Sequence, residues 1–315
     1  MSRAERSLPR WEGVAMLLAT LGCWCAVPIL VRHLAGYVDH WTNNGWRYGA
    51  AALVWLPGVV VAAGRGRLPR SIWRAALVPA VANTVAQVAF TSAHSHIDPG
   101  LLTFGLRMQL LAVAAGAYLL FPNERAMIRS RRYLAGLALL VTGIGGVLLQ
   151  GEMSLAGSSG LGVALAVGAG LGYGAYALAV RRFMHPYPPV LAFGVIALYT
   201  ASALVAMMLA FGRNGGADVL QLGARELAYM VVSSMLGIAI GHVLYYASID
   251  RLGVAATTGV LQLQPFVVGG ISAVVFGEAM TRLQWGSGAV AVLGAGLVLS
   301  AQKRAELSLR KAART

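Results

Sequence analysis

Ala247–Glu278 reads ASIDRLGVAATTGVLQLQPFVVGGISAVVFGE, and the same plan occurs 154 positions earlier at Ala93–Glu124 as AHSHIDPGLLTFGLRMQLLAVAAGAYLLFPNE. Aligned without a gap, the two stretches share Ala93, Thr103, Gly105, Gly116 and Glu124 with their later counterparts. Each opens on a polar turn, runs on as mostly apolar chain with amide side chains near its middle, and ends on an acid. An apolar run of more than about twenty residues, rising about 1.5 Å per residue, matches a hydrocarbon core of roughly 30 Å. Each copy therefore contains a membrane-spanning helix, and its polar middle needs a reason.

Working outward, apolar runs recur along the whole chain of 315 residues, of which 58% are hydrophobic and 11% charged, with a mean hydropathy of +0.69. That composition excludes a soluble core and places the chain among polytopic membrane proteins. The runs lie at about 13–31, 42–63, 72–93, 99–121 and 133–150, then at 160–181, 190–211, 226–248, 253–276 and 283–301. The turn-rich GEMSLAGSSG separates the two sets. The pattern predicts an all-α protein of ten transmembrane helices in two five-helix repeats, 1–152 and 153–315, the second ending in a polar tail.

Two further internal matches support the repeat. Gly13–Arg32 and Gly162–Arg181 share an opening Gly-Val-Ala and a closing Val-Arg, while Leu137–Leu148 and Gly288–Leu299 share Ala, Val, Gly, Gly, Val and Leu in order. The first match also argues that the N-terminal run is a helix of the fold and not a removable signal. Five spans per half is an odd number, so the halves are expected to enter the membrane from opposite sides, as inverted repeats.

Charge tests the topology separately. The net charge of +14 sits in short loops rather than on one face, which argues against a nucleic-acid partner. With the N-terminus inside, 19 of the 25 Lys and Arg fall in inside segments and 4, namely Arg32, Arg213, Arg225 and Arg282, fall outside. The remaining two, Arg47 and Arg107, lie within spans. Both termini are expected to be cytoplasmic in a cell (inner or plasma) membrane. Cys23 and Cys25, two apart on a helix, point to nearly opposite sides and support neither a disulfide framework nor a metal site.

The order of these features resembles the EamA-type ten-helix members of the drug/metabolite transporter superfamily. The resemblance rests on Ala255–Glu278 with its mid-span Pro265 and terminal Gly277-Glu278, on Trp285-Gly286 with Gly294 and Gly296, on Trp24, and on Trp46-Arg47-Tyr48. In the first half, Phe121-Pro122-Asn123-Glu124 stands at the corresponding helix end. The resemblance implies a carrier that moves small metabolites, often outward, by alternating access. It leaves the substrate open, implies no cofactor and sets no oligomeric state, for which a monomer would suffice.

Polar residues inside the spans are the candidate site. Arg107 lies about eight residues, roughly 12 Å, inside its helix, where a charge is expensive unless it faces a partner, a cavity or the bundle interior. Two roles fit it: a lock made with backbone carbonyls and Gln109 or Gln264, or a fixed cation that receives a carboxylate or phosphate. Gln262 and Gln264 precede Pro265, whose missing N–H frees a carbonyl one turn earlier, so they are expected either to contact substrate or to tie helices together. Asn83 and Gln87 share one face of the third helix. Tyr173, the repeat counterpart of Trp24, and Tyr246 complete the expected substrate-binding set. Arg47, nearer a helix end, reads as structural or snorkelling. His242 is a lone titratable group.

No clustered carboxylates, His pairs or nucleophile-base constellation marks a membrane enzyme, and no Walker-type loop marks ATP-driven transport. A secondary transporter is therefore the leading reading, with a membrane-embedded lipid enzyme or a non-transporting scaffold as alternatives. Two Arg and no acid within the spans favour an anionic or zwitterionic solute such as an amino acid.

Overall fold

A computed structural model describes residues 10–151, 160–252, 257 and 260–312. The first half contributes α1 (Arg10–Leu34), α2 (His40–Gly64), α3 (Arg70–Ala93), α4 (Pro99–Leu120) and α5 (Arg131–Gly151). The second contributes α6 (Gly160–Met184), α7 (Pro189–Phe211), α8 (Ala224–Tyr245), α9 (Gln264–Phe276) and α10 (Arg282–Ala312). Among the described residues nine of these are long and apolar enough to cross a membrane, and α9 is a shorter apolar helix. The apolar run expected at 253–276 includes residues 253–256 and 258–259, which lie outside the described ones.

Local chemistry sets the helix ends. The Asp39 side chain accepts from the Trp41 and Thr42 amides at 2.9 and 3.0 Å and so caps α2. Pro99 opens α4, where its missing N–H leaves nothing unmet. Gly277, at φ 72°, closes α9 in the left-handed conformation that glycine adopts most readily, and it turns Glu278 back toward the bundle. The polar tail expected after residue 301 instead continues α10 to Ala312, because Ala, Glu, Lys, Arg and Leu are all good helix formers.

The distribution of side chains is inverted relative to a soluble protein. Leu53, Val85 and Val274 are 71%, 62% and 87% exposed, whereas Asn43, Asn44 and Arg47 are 0%, 0% and 2% exposed. An exposed apolar surface on this scale is stable only against lipid.

The helices pack in a set of pairs that survives exchange of the two halves. α5 lies along α10, α2 along α7 and α4 along α9. α3 packs on α6 as α8 packs on α1, α4 on α6 as α9 on α1, and α3 on α7 as α8 on α2. The α5–α10 seam is closest: a Cβ on Gly143 would come 2.4 Å from the Ala291 nitrogen, so only glycine lets the backbones meet there. The α2–α3 and α4–α5 contacts add packing within the first half.

Candidate functional site

α4 and the chain leading into α9 are both interrupted, near positions that correspond in the two matching stretches of sequence. α4 tightens into a 3-10 turn at Leu106–Met108. The chain before α9 turns at Gln262 and Leu263, and the helix resumes at Gln264 with Pro265 in its first turn. The two interruptions touch. Arg107, in the first, donates through Nη1 to the carbonyl of Leu261, its counterpart in the second, at 3.3 Å. Its Nη2 donates to Gln264 Oε1 at 2.7 Å and its Nε to the Thr103 carbonyl at 3.2 Å.

Gln264 carries the connection onward. Its Nε2 donates to the Trp24 carbonyl at 2.7 Å, so α4, α9 and α1 are tied through one amide. Hydrogen bonds to a charged group contribute about 1.5–3 kcal/mol each. Three of them offset the insertion cost of about 2.5–3.5 kcal/mol for an arginine at mid-membrane. Each of the three Arg107 nitrogens therefore has a protein acceptor, the arrangement of a helix lock.

The other expected residues spread around this crossing. Gln262 is buried at the turn. Gln109 follows the 3-10 turn, and its carbonyl would lie 2.9 Å from a Cβ on Gly174 where α6 crosses α4. Asn83 donates to Thr200 Oγ1 at 3.2 Å and to the Tyr48 hydroxyl at 3.5 Å, which joins α3 to α7 and α2. The Gln87 side chain meets Tyr173, and its carbonyl accepts from Asn44 Nδ2 at 3.2 Å. Tyr246 lies on the helix that continues α8, Gly241–Leu252, and its side chain is outside the described ones. Trp24 sits edge-on to His242 at 5.6 Å between ring centres, and His242 stacks on Phe193 at 4.6 Å.

Arg47 does not snorkel. It is 2% exposed on α2 and packs against α8, where its Nη2 donates to the Ser233 carbonyl at 3.3 Å and its own carbonyl accepts from Ser234 Oγ at 2.5 Å. Its Nε and Nη1 have no protein acceptor, and neither does either polar atom of the fully buried Asn43 one turn earlier. The signal was present in the sequence, since Asn43, Asn44 and Arg47 crowd one turn of an otherwise apolar helix.

Ion pairs tie the halves together at both ends of the bundle. At one end Arg32 of α1 meets Glu278 after α9 at 2.7 Å, and also donates to the His94 carbonyl at 2.7 Å, while Ser272 donates to the other Glu278 oxygen at 2.7 Å. Burial first, and the Glu278 carboxylate second, push the nearby Asp98 carboxyl up, with Arg32 pulling the other way. At the opposite end Arg181 of α6 pairs with Glu124 after α4 and lies over the Phe121 ring. Arg32 and Arg181 correspond in the internal sequence match of Gly13–Arg32 with Gly162–Arg181, and Glu124 and Glu278 in that of Ala93–Glu124 with Ala247–Glu278. A groove of about 240 Å³ lined by Tyr176, Arg181, Phe193 and Ile196 opens at the Arg181 end.

Comparison with known proteins finds a likeness in the second half. Residues 160–300 match the EamA-like transporter family. The matched stretch, most of the second half, is similar to that family. The EamA-like unit spans α6 to α10, including the helix break before α9 and the Gly277-Glu278 ending. One solved protein, described only as "Crystal structure of protein", is 19% identical, with a TM-score of 0.60, over 94% of this chain and 99% of its own. At that identity the likeness extends to the fold alone. No curated protein matches the chain.

Proposed function

We propose that this EamA-like protein is a secondary transporter, in the exporting direction, of a small anionic or zwitterionic solute such as an amino acid. It works by alternating access around the crossing of the α4 and α9 breaks, between two inverted five-helix repeats. The observation that carries this reading is the exchange of partners in the two ion pairs. Equivalent residues, Arg32 with Arg181 and Glu278 with Glu124, pair between the halves at opposite ends of the bundle. Inverted repeats place equivalent contacts on opposite membrane faces, so opening one pair while the other closes would expose a midplane site to each side in turn.

The two ends differ in this conformation. The Arg32–Glu278 side chains are 29% and 14% exposed and are braced by His94 and Ser272, whereas the Arg181–Glu124 side chains are 49% and 26% exposed beside an open groove. With both termini cytoplasmic, the braced end faces outside and the groove faces the cytoplasm, the posture of an exporter ready to load. Arg107 holds the two breaks together and, with Arg47, gives the midplane a positive field in which Gln109, Gln262, Gln264, Asn83, Gln87, Tyr173 and Tyr246 present polar or aromatic groups.

Comparing metabolites inside and outside cells with and without the protein tests the reading. The expected result is one or a few acids or zwitterions depleted inside and enriched outside, and a purified protein in vesicles that moves the same compounds. Accumulation of lipophilic cations, or no change in any solute, would overturn it.

A further inference from the structure

The unmet donors of Arg47 are the feature least explained by packing. A buried charged group normally has every donor satisfied, since leaving one unpaired in the interior loses the desolvation energy of that group. Among the two arginines of the spans, Arg107 has an acceptor on each nitrogen, while Arg47 has one acceptor for three. Asn43 adds an unpartnered amide on the same face, one turn away.

A third group lies close by. Thr91 Oγ1 donates to Asn44 Oδ1 at 2.8 Å, which sets the end of α3 against this turn of α2. Three residues further on, His94 donates from Nδ1 to the Phe90 carbonyl at 2.8 Å, leaving Nε2 as a buried acceptor without a partner, within electrostatic reach of Arg47. Ser233 and Ser234 hydrogen-bond Arg47, Gly237 lies against its Nη2, and Tyr48 and Tyr173 act on it electrostatically; none of these is a carboxylate.

We infer that Arg47 and Asn43 form the subsite that receives the carboxylate of the transported solute, with His94 Nε2 and Asn43 Oδ1 placed to accept from the ammonium of a zwitterion. The inference rests on the function proposed above and assigns its anion-binding cation to Arg47, not to Arg107. A guanidinium with free N–H groups offers a carboxylate charge-assisted, two-point hydrogen bonding that no neutral neighbour supplies. Access is gated by the braced ion pair, because Arg32 of that pair also holds the His94 carbonyl. Withdrawal of the Arg32 side chain would break its bonds to Glu278 and to the His94 carbonyl together and so release the end of α3. The seventh helix, counterpart of α2, carries no charge. The subsite thus lies where the two halves depart from one another.

The test uses the full-length protein in lipid nanodiscs, with thermal protection measured for the twenty free L-amino acids and for the amides of those that protect. For the wild type the expected result is protection by at least one amino acid and at least tenfold weaker protection by its amide. In Arg47→Gln the acid should bind at least tenfold more weakly and the preference over the amide should vanish, with partial rescue in Arg47→Lys. The melting temperature of unliganded Arg47→Gln should equal or exceed that of the wild type, since a neutral amide removes a buried, under-satisfied charge. A merely structural Arg47 would instead lower it. Arg107→Gln should melt earlier yet keep the preference for acid over amide. If Arg47→Gln keeps that preference while Arg107→Gln loses it, the assignment to Arg47 fails and the transporter reading stands. If no amino acid protects the wild type, the amino-acid subsite fails, and the transporter reading is decided separately by the metabolite comparison.

Discussion

Arg107 and Arg47 lie about eight and seven residues inside helices that start at the same end of the bundle, yet their surroundings are opposite. Arg107 bridges two helix interruptions and spends its guanidinium on Thr103, Leu261 and Gln264. Arg47 is more deeply buried and keeps Nε and Nη1 unmet. At nearly equal depth and equal charge, one guanidinium closes a crossing between distant segments and the other keeps two nitrogens without a protein acceptor. The count of satisfied donors, which depth does not give, is what the proposed division of roles rests on.

The comparison can be broken at several points. The largest effect is expected from Arg107→Gln, which shortens the side chain away from Leu261 and Gln264; stranding two buried acceptors should remove about 3 kcal/mol of stability. A melting temperature unchanged by this substitution would mean that Arg107 is no lock. Next is Gln264→Leu, which takes one acceptor from Arg107 and the donor from the Trp24 carbonyl, making Arg107 resemble Arg47. A loss of about 2 kcal/mol is expected, together with new cysteine accessibility at Cys25, whose thiol lies 3.9 Å from the Gln264 carbonyl.

A smaller effect concerns the helix that carries Arg47. Asp39→Asn weakens the α2 cap and the contact with the Arg213 amide at 3.0 Å, with a loss of about 1 kcal/mol. Burial alone would raise the Asp39 carboxyl, but the hydrogen bonds from Thr42, Arg213 and Trp41 outweigh it and hold it below the usual carboxylate range. A depressed carboxyl contributes stability that is present above its unfolded value and lost as pH falls through its folded one. The difference between wild type and Asp39→Asn should therefore be constant near neutrality and shrink only below about pH 4. A difference that grew on acidification would contradict the assignment.

Much of this architecture is legible in the sequence because lipid imposes period-independent rules. Long apolar runs and the glycines of α5 and α10 are local signals, and among the described residues they fall on helices or close helix contacts. Partnership between distant residues is not local. Arg32 and Glu278 are 246 residues apart, and nothing in either stretch specifies the other until the halves are folded. Of the two roles expected for Arg47, snorkelling is ruled out: seven residues from a helix start is within snorkelling distance for a lipid-facing side chain, but α8 covers this face of α2 and closes that route. The three polar residues Asn43, Asn44 and Arg47 on one turn were the available warning.

The most direct test of alternating access bridges the two ends in turn. Cysteines at positions 32 and 278, or at 124 and 181, are introduced in a background with Cys23 and Cys25 replaced by serine and joined by a short, reducible bis-methanethiosulfonate. Vesicle transport of the solute identified by the metabolite comparison is then followed before and after reduction. Either bridge alone should stop net transport and reduction should restore it, because each end must open once per cycle. Full transport with either end bridged would contradict the account.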